Sequence, residues 1–209
     1  MTAKSDILAN IRRHSLLSTP APDLDEAWIT YADREKQFAE VLASIGGQSQ
    51  VVASTANIES GVRILPCFDG ARQIVCTVPG AALGNVDLTS IADPHDLAGV
   101  DVAIMPGDFA VAENGAVWVT DRGVAHRVIY FITQHLVLVV PRAKILDNLH
   151  QAYERLSFDG PGYGLFIAGP SKTADIEQSL VIGAHGPRSL TVLLVDDWEG
   201  EAPAEPESR

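Results

Sequence analysis

The chain has little cysteine: two in 209 residues, Cys67 and Cys76, nine positions apart. With no C-x-x-C pair, it cannot supply the four thiolates of a 4Fe–4S cluster or of a Cys-rich zinc site. A disulfide framework is excluded as well. Leu65, Ile74 and Val75 stand close by in sequence, so both cysteines read as packed thiols. Positive charge is scarce too. Lys and Arg total 15 against 27 Asp and Glu, for a net charge of −12. That balance argues against nucleic acid or an anionic membrane surface as partner, since both need clustered positive charge. No apolar run approaches the roughly 20 residues that span a bilayer. The opening stretch, MTAKSDILANIRRHSLL, is amphipathic, carries an acid and lacks the continuous apolar core of a secretory signal. A cytoplasmic location is therefore expected.

Familiar phosphate and catalytic motifs are missing as well. Gly164 and Gly169 have the spacing of a P-loop, but Pro170 stands where the lysine belongs. Gly160, Gly162 and Gly164 precede an apolar run, whereas a dinucleotide fingerprint follows a strand. There is no G-x-S-x-G and no H-E-x-x-H.

What is present reads as one α/β domain, for which the length is ample. Two helices open the chain, over Asp6 to Leu17, ended by Pro20, and over Asp33 to Ile45, ended by Gly46-Gly47. Short apolar runs follow at 50–53, 73–77, 100–105, 109–112, 116–120, 136–140, 164–168 and 190–195. Several are apolar on both faces, which predicts strands covered by helices on each side. Helical spacing recurs over Ala143 to Leu156 and Thr173 to Ile182. The late part then alternates strand and helix, which points to a mostly parallel sheet in a single three-layer α/β/α domain. Asn114-Gly115 between two apolar runs predicts an antiparallel hairpin with a type I′ turn, lifting Glu113 to the sheet rim. The final residues hold six acids, two prolines and one arginine from Asp196 to Arg209 and read as a disordered tail. The expected organisation is an N-terminal helix over 1–17, the α/β domain over 18–198 and an acidic tail over 199–209.

Gly169-Pro170-Ser171-Lys172-Thr173 joins a predicted strand to a predicted helix. Free backbone N–H groups at such a point can hold an anion, with hydroxyls from Ser171 and Thr173 and charge from Lys172. Asp175 in the first turn favours the helix dipole but opposes a highly charged phosphate. An ordinary capped helix start explains the same residues. Glu113 is the best candidate for an acid–base carboxylate, against the plain reading of an exposed turn residue. His185, between glycines in Gly183-Ala184-His185-Gly186, is a candidate proton carrier, and Arg188 is a candidate partner for a substrate carboxylate. His126 and His135 flank the run VIYFIT and are weaker candidates of the same kind. No metal site is expected.

These residues carry a family resemblance. Gly169 through Glu177, followed by Leu180-Val181 and His185-Gly186-Pro187, resembles the signature of the lactate-utilisation protein C family, the LUD-domain proteins. Asp108-Phe109 with Ala112-Glu113 and Gly115, and the opening Asp6-Ile7-Leu8 with Ile11-Arg12, are similar to further blocks of that family. Lys172 stands where arginine is frequent, and Asn114 where threonine is common. The resemblance implies a fold similar to the sugar-isomerase and coenzyme A transferase group. It implies a cluster-free part in oxidising L-lactate to pyruvate, alongside iron–sulfur partner proteins that carry the clusters. The anion site would then take a small carboxylate or phosphate at Gly169, Ser171, Lys172, Thr173, Asp175 and Arg188, with Glu113 or His185 in a chemical role. A non-catalytic assembly or metabolite-sensing subunit, and an independent ligase-like or transferase-like enzyme, are the alternative expectations.

Overall fold

Runs that are apolar on both faces become the interior strands of a sheet, because a strand buried on both sides has no polar face to spare. The computed structural model describes residues 3–14, 20, 22, 26–157, 162–174 and 180–198. Its main sheet has five parallel strands, β1 (Gln48–Ser54), β2 (Ile74–Cys76), β3 (Val102–Pro106), β6 (His135–Pro141) and β11 (Ser189–Asp197), in the order β1-β11-β6-β3-β2. A second sheet has the order β7-β4-β5-β8, from β4 (Phe109–Val111), β5 (Ala116–Thr120), β7 (Ile145–Leu146) and β8 (Gly164–Ile167).

The cores follow from the alternation along these strands. On one face of the parallel sheet Leu136, Leu138, Val140, Leu190 and Val192 meet Ala110, Val117 and Val119 of the second sheet, together with Phe38 and Leu42 of helix α2 (Arg34–Ser44) and Ile129 and Tyr130 of helix α4 (Ile129–Ile132). On the other face Val137, Val139, Leu193 and Val195 pack with Ile58 and Val62 of helix α3 (Ile58–Arg63). Each such side chain, fully buried, contributes about 1.5–3 kcal/mol. The outer face of the second sheet holds Phe109, Val111 and Leu146 against Ala152 of helix α5 (Leu149–Glu154). Cys67 and Cys76 are free and half-buried beside the α3 core, and burial pushes both thiols up. No described helix is long and apolar enough to cross a membrane.

The main strands and α2 lie where the sequence predicts them. Asp33 caps α2 by accepting from the Lys36 N–H at 2.9 Å. The opening helix, α1 (Ala3–Arg13), leaves Ile7 and Ile11 exposed. The predicted tail over 199–209, and Asp175, lie outside the described residues.

Three expectations need correction. The segment predicted as a helix over Thr173 to Ile182 carries an antiparallel pair, β9 (Lys172–Ala174) with β10 (Leu180–Ile182), registered Lys172 to Ile182. Ser171 pins its base, donating its N–H to the Pro187 carbonyl and accepting from the Gly183 N–H, both at 2.9 Å. Apolar residues at 176, 180 and 181 suit either element, and the pinned base selects the hairpin. The helix predicted over Ala143 to Leu156 begins only at Leu149. Ile145 and Leu146 pair with Ala110 and Val111, and Asn148 then caps α5 by accepting from Gln151 N–H at 3.0 Å. The hairpin at Asn114-Gly115 is real, but register Val111 to Ala116 leaves a four-residue loop in place of a two-residue type I′ turn. Ala112 and Glu113 donate their N–H groups to the carbonyls of Leu146 and Asp147, which draws the loop toward β7.

Candidate functional site

Two of the sequence blocks meet at the C-terminal end of α2. Gly115 has φ +67°, and a Cβ there would stand 3.0 Å from the Leu42 nitrogen. Gly169 has φ +75°, and its Cβ would stand 2.8 Å from the Ile45 carbonyl oxygen. Both positions also face the same Ile45 Cδ1, at 3.4 and 3.5 Å. Positive φ and these close approaches explain why both turns use glycine.

From Gly169 the chain passes into the β9–β10 hairpin at the amino edge of the parallel sheet, beside the start of β11. Gly186 lies directly against Ser171, whose Oγ would be 3.1 Å from a Cβ at that glycine. Thr173 Oγ1 and His185 Nδ1 are 3.4 Å apart across the hairpin. Arg188 is anchored through its backbone, its N–H donating to the Gln134 carbonyl at 2.8 Å, and its exposed side chain packs under Gly183. Lys172, His185 and Arg188 are all solvent-exposed, and none forms an ion pair among the described residues. The fold thus places Ser171, Lys172, Thr173, His185 and Arg188 at or beside one hairpin base, with Lys172, near Gly46, and Thr173, near His185, successive on β9 and facing opposite sides. The donors come from a strand pair and its turns, with no helix N-terminus among them. An exposed rim of this kind can hold a small anion by charge and hydroxyl contacts.

Glu113, two residues before Gly115, is engaged with a helix start. Its Oε2 accepts the Leu149 N–H at 2.9 Å, capping the first turn of α5. Beside it, Asp147 is fully buried and accepts from Tyr31 N–H at 2.9 Å, from Gln151 Nε2 at 3.2 Å and from the Arg34 guanidinium at 2.8 Å. Burial pushes this carboxyl up, but the Tyr31, Arg34 and Gln151 contacts together outweigh burial and hold it below the usual carboxylate range. Asp147 was not a candidate on sequence grounds. The signal available was Asn148 followed by Gln151, the spacing of a helix cap, which marks the neighbour and says nothing of the distant Arg34.

The carboxyl edge of the parallel sheet is lined by paired charges. Arg142, just after β6, bonds to Glu35 at the start of α2 and to Asp196 of β11 at 3.0 Å. With Arg34, Ala143 and Ile145 these residues line an open cavity of about 370 Å³. Asp108, following β3, is mostly buried and pairs with Arg122 at 2.9 Å. Burial raises its carboxyl, and the charges of Arg122 and Lys144 offset that only in part. Among the described residues no group of three or more His, Cys, Asp or Glu is placed to hold a metal ion.

A model of the LUD domain matches residues 27–195 of this chain. Lactate utilization protein C of Geobacillus kaustophilus is 32% identical over 133 residues, 61% of this chain and 53% of that protein. Lactate utilization protein C 1 of Bacillus mycoides is 32% identical over 103 residues, 46% of this chain and 44% of that protein. The chain spans about half the length of the curated relatives it matches. The crystal structure of a DUF162 family protein from Deinococcus radiodurans superposes with a TM-score of 0.60 at 18% identity, covering 79% of this chain and 99% of that one. At that identity the likeness speaks for the fold.

Proposed function

Because this chain belongs to the LUD domain family, we propose that it works in lactate utilisation, in a system that oxidises L-lactate to pyruvate. In this reading the chain carries no cluster, since two separated cysteines are too few for a four-thiolate site. Electrons leave through iron–sulfur partner proteins. The chain contributes a binding site for a small anion at the amino edge of the sheet. The observation that supports the site is that Lys172, His185 and Arg188 are exposed and form no ion pair among the described residues at the base of the hairpin that also holds Ser171 and Thr173, the latter 3.4 Å from His185. The relatives' names supply the substrate. Glu113 has a smaller part here than its place in the sequence motif invites, because its carboxylate already caps α5.

The test is anaerobic, lactate-dependent dye reduction. It compares the iron–sulfur partners alone, the partners with this chain, and the partners with Arg188→Ala or Glu113→Gln chains. Assembly is followed by size-exclusion chromatography. The reading requires that activity depend on the chain, that Arg188→Ala reduce it without disturbing assembly, and that Glu113→Gln retain most of it. Equal activity without the chain would sink the proposal.

A further inference from the structure

The parallel sheet has two side edges, and the fold treats them differently. At one edge, β2 is only three residues long and is covered. Ile74 donates its N–H to Asn85 Oδ1 at 2.8 Å, and its carbonyl accepts the N–H groups of Asn85 at 2.9 Å and Val86 at 3.0 Å. Gly84 brings this segment so close that a Cβ there would stand 2.9 Å from the Cys76 nitrogen. The other edge is β1, seven residues long and paired with β11 on one side alone. A strand turns the N–H and C=O groups of alternate residues to opposite sides, so about half of the β1 backbone groups point outward. Among the described residues no backbone group outside β11 bonds to β1.

Edge strands that stay single are usually short, bulged, or guarded by a charge or a proline. β1 has none of these guards. Its sequence over 48–54, QSQVVAS, carries no charge and no proline, and its register with β11 runs from Gln48–Thr191 to Ser54–Asp197 without a slip. Val51, at its midpoint, is 41% exposed although it lies beside Leu194 of the core. Together with Ser49, and with Lys36 and Ala39 of α2, these two residues line an open cavity of about 270 Å³.

We propose that β1 is the contact between two copies of this chain, paired antiparallel about a two-fold axis at Val51, so that the two parallel sheets join into one. Three observations single out a second copy as the occupant. The strand is uncharged in a chain of net charge −12, so two copies can meet here without like charges facing each other across the ladder. A two-fold at Val51 is also self-complementary. It sets Val51 against Val51, Gln50 against Val52, Ser49 against Ala53 and Gln48 against Ser54, each pair on one face of the joined sheet. Finally, the covered β2 edge leaves the parallel sheet no second open side, so assembly closes at the dimer and does not run on into a fibre. This interface lies beyond the role proposed in lactate utilisation and does not depend on it.

Sedimentation velocity of the full chain between about 1 and 100 μM, the range over which a moderate interface dissociates, tests this. The unmutated chain is expected to sediment as a dimer at the upper end. Val51→Lys sets two ammonium groups opposite each other on the axis and should weaken the dimer at least about tenfold. Its urea unfolding midpoint at the lowest concentration should stay nearly unchanged, because the side chain is exposed in the monomer. Val51→Cys tests the register without adding charge. Directly opposed Cβ atoms in an antiparallel pair lie about 4.5–5.5 Å apart, close enough for mild oxidation to link the copies beyond the level of the unmutated chain. Ala53→Cys should link poorly, since its two positions stand about 13 Å apart in this register. A monomer throughout, the result expected if another protein's strand covers β1, overturns the proposal. So does a dimer that Val51→Lys leaves intact, or linkage through Ala53→Cys in preference to Val51→Cys.

Discussion

At the carboxyl edge of the parallel sheet the charged side chains are engaged with one another: Arg142 with Glu35 and Asp196, Arg122 with Asp108. Arg34, which lines the same cavity, reaches down to the buried Asp147. At the amino edge Lys172, His185 and Arg188 form no ion pair among the described residues, although the hairpin under them is pinned by Ser171. Open α/β sheets commonly bind ligands beyond their carboxyl ends. Here the contrast in pairing favours the opposite end. A cation already bonded to a carboxylate must lose that partner to hold a ligand, whereas an unpaired one gives up only water. The carboxyl-edge charges are engaged with one another, whereas Lys172 and Arg188 at the amino edge are solvent-exposed and form no ion pair among the described residues.

That contrast can be broken by mutation. The largest effect on stability is expected from Asp147→Ala, which removes the acceptor of Tyr31, Arg34 and Gln151 inside the protein. A loss of about 2–4 kcal/mol in urea unfolding is expected, reduced from the fully buried case because Arg34 is half exposed. At the amino edge the effect should reverse in kind. Lys172→Ala combined with Arg188→Ala should weaken anion binding by at least about tenfold while leaving the unfolding midpoint nearly unchanged. A midpoint shift as large as that of Asp147→Ala would show that the amino-edge cations are structural and erase the distinction.

Smaller effects sharpen it. Glu113→Ala removes the acceptor at the start of α5 and should cost about 1 kcal/mol, typical of a lost helix cap. The two buried carboxylates should also separate in their response to acid. Asp147 has a lowered pKa in the folded protein, so its contribution is present above about pH 3.9, the ordinary Asp value, and is lost as pH falls through the folded pKa. Asp108 has a raised pKa, so its ionised form costs stability at neutral pH and that cost is relieved as pH falls. Asp108→Asn should therefore change stability by less than about 1 kcal/mol at pH 7, and Asp147→Asn should lose more. Urea unfolding at pH 7 and at pH 3 measures both. Arg142→Ala, with its exposed partners, should leave the melting temperature unchanged.

Much of the frame could be read without coordinates. Runs apolar on both faces marked β3, β6 and β11, and Asp33 with Gly46-Gly47 bracketed α2. The errors fell on short segments whose local pattern suits two states. Ile145-Leu146 reads as part of a helix until Ala110 and Val111 offer it a ladder, and Leu180 to Ile182 reads likewise until Lys172 to Ala174 lie opposite. Of the site, the residues around the hairpin base were legible as a motif. Their setting on a strand pair was not, nor was the use of Glu113 as a helix cap.

The sequence by itself determined the charge balance, the shortage of thiolates, the interior strands and the block from Gly169 to Arg188 that carries the family likeness. These are local or compositional properties, set by residue type and near spacing. Tertiary structure decided which charges are engaged and which are available. Arg34 finds Asp147 across 113 positions of chain and His135 finds Ser189 across 54, and both meetings arise from strand order and helix packing. Pairing over such distances has no periodicity to betray it, because it depends on where the folded backbone brings two side chains together.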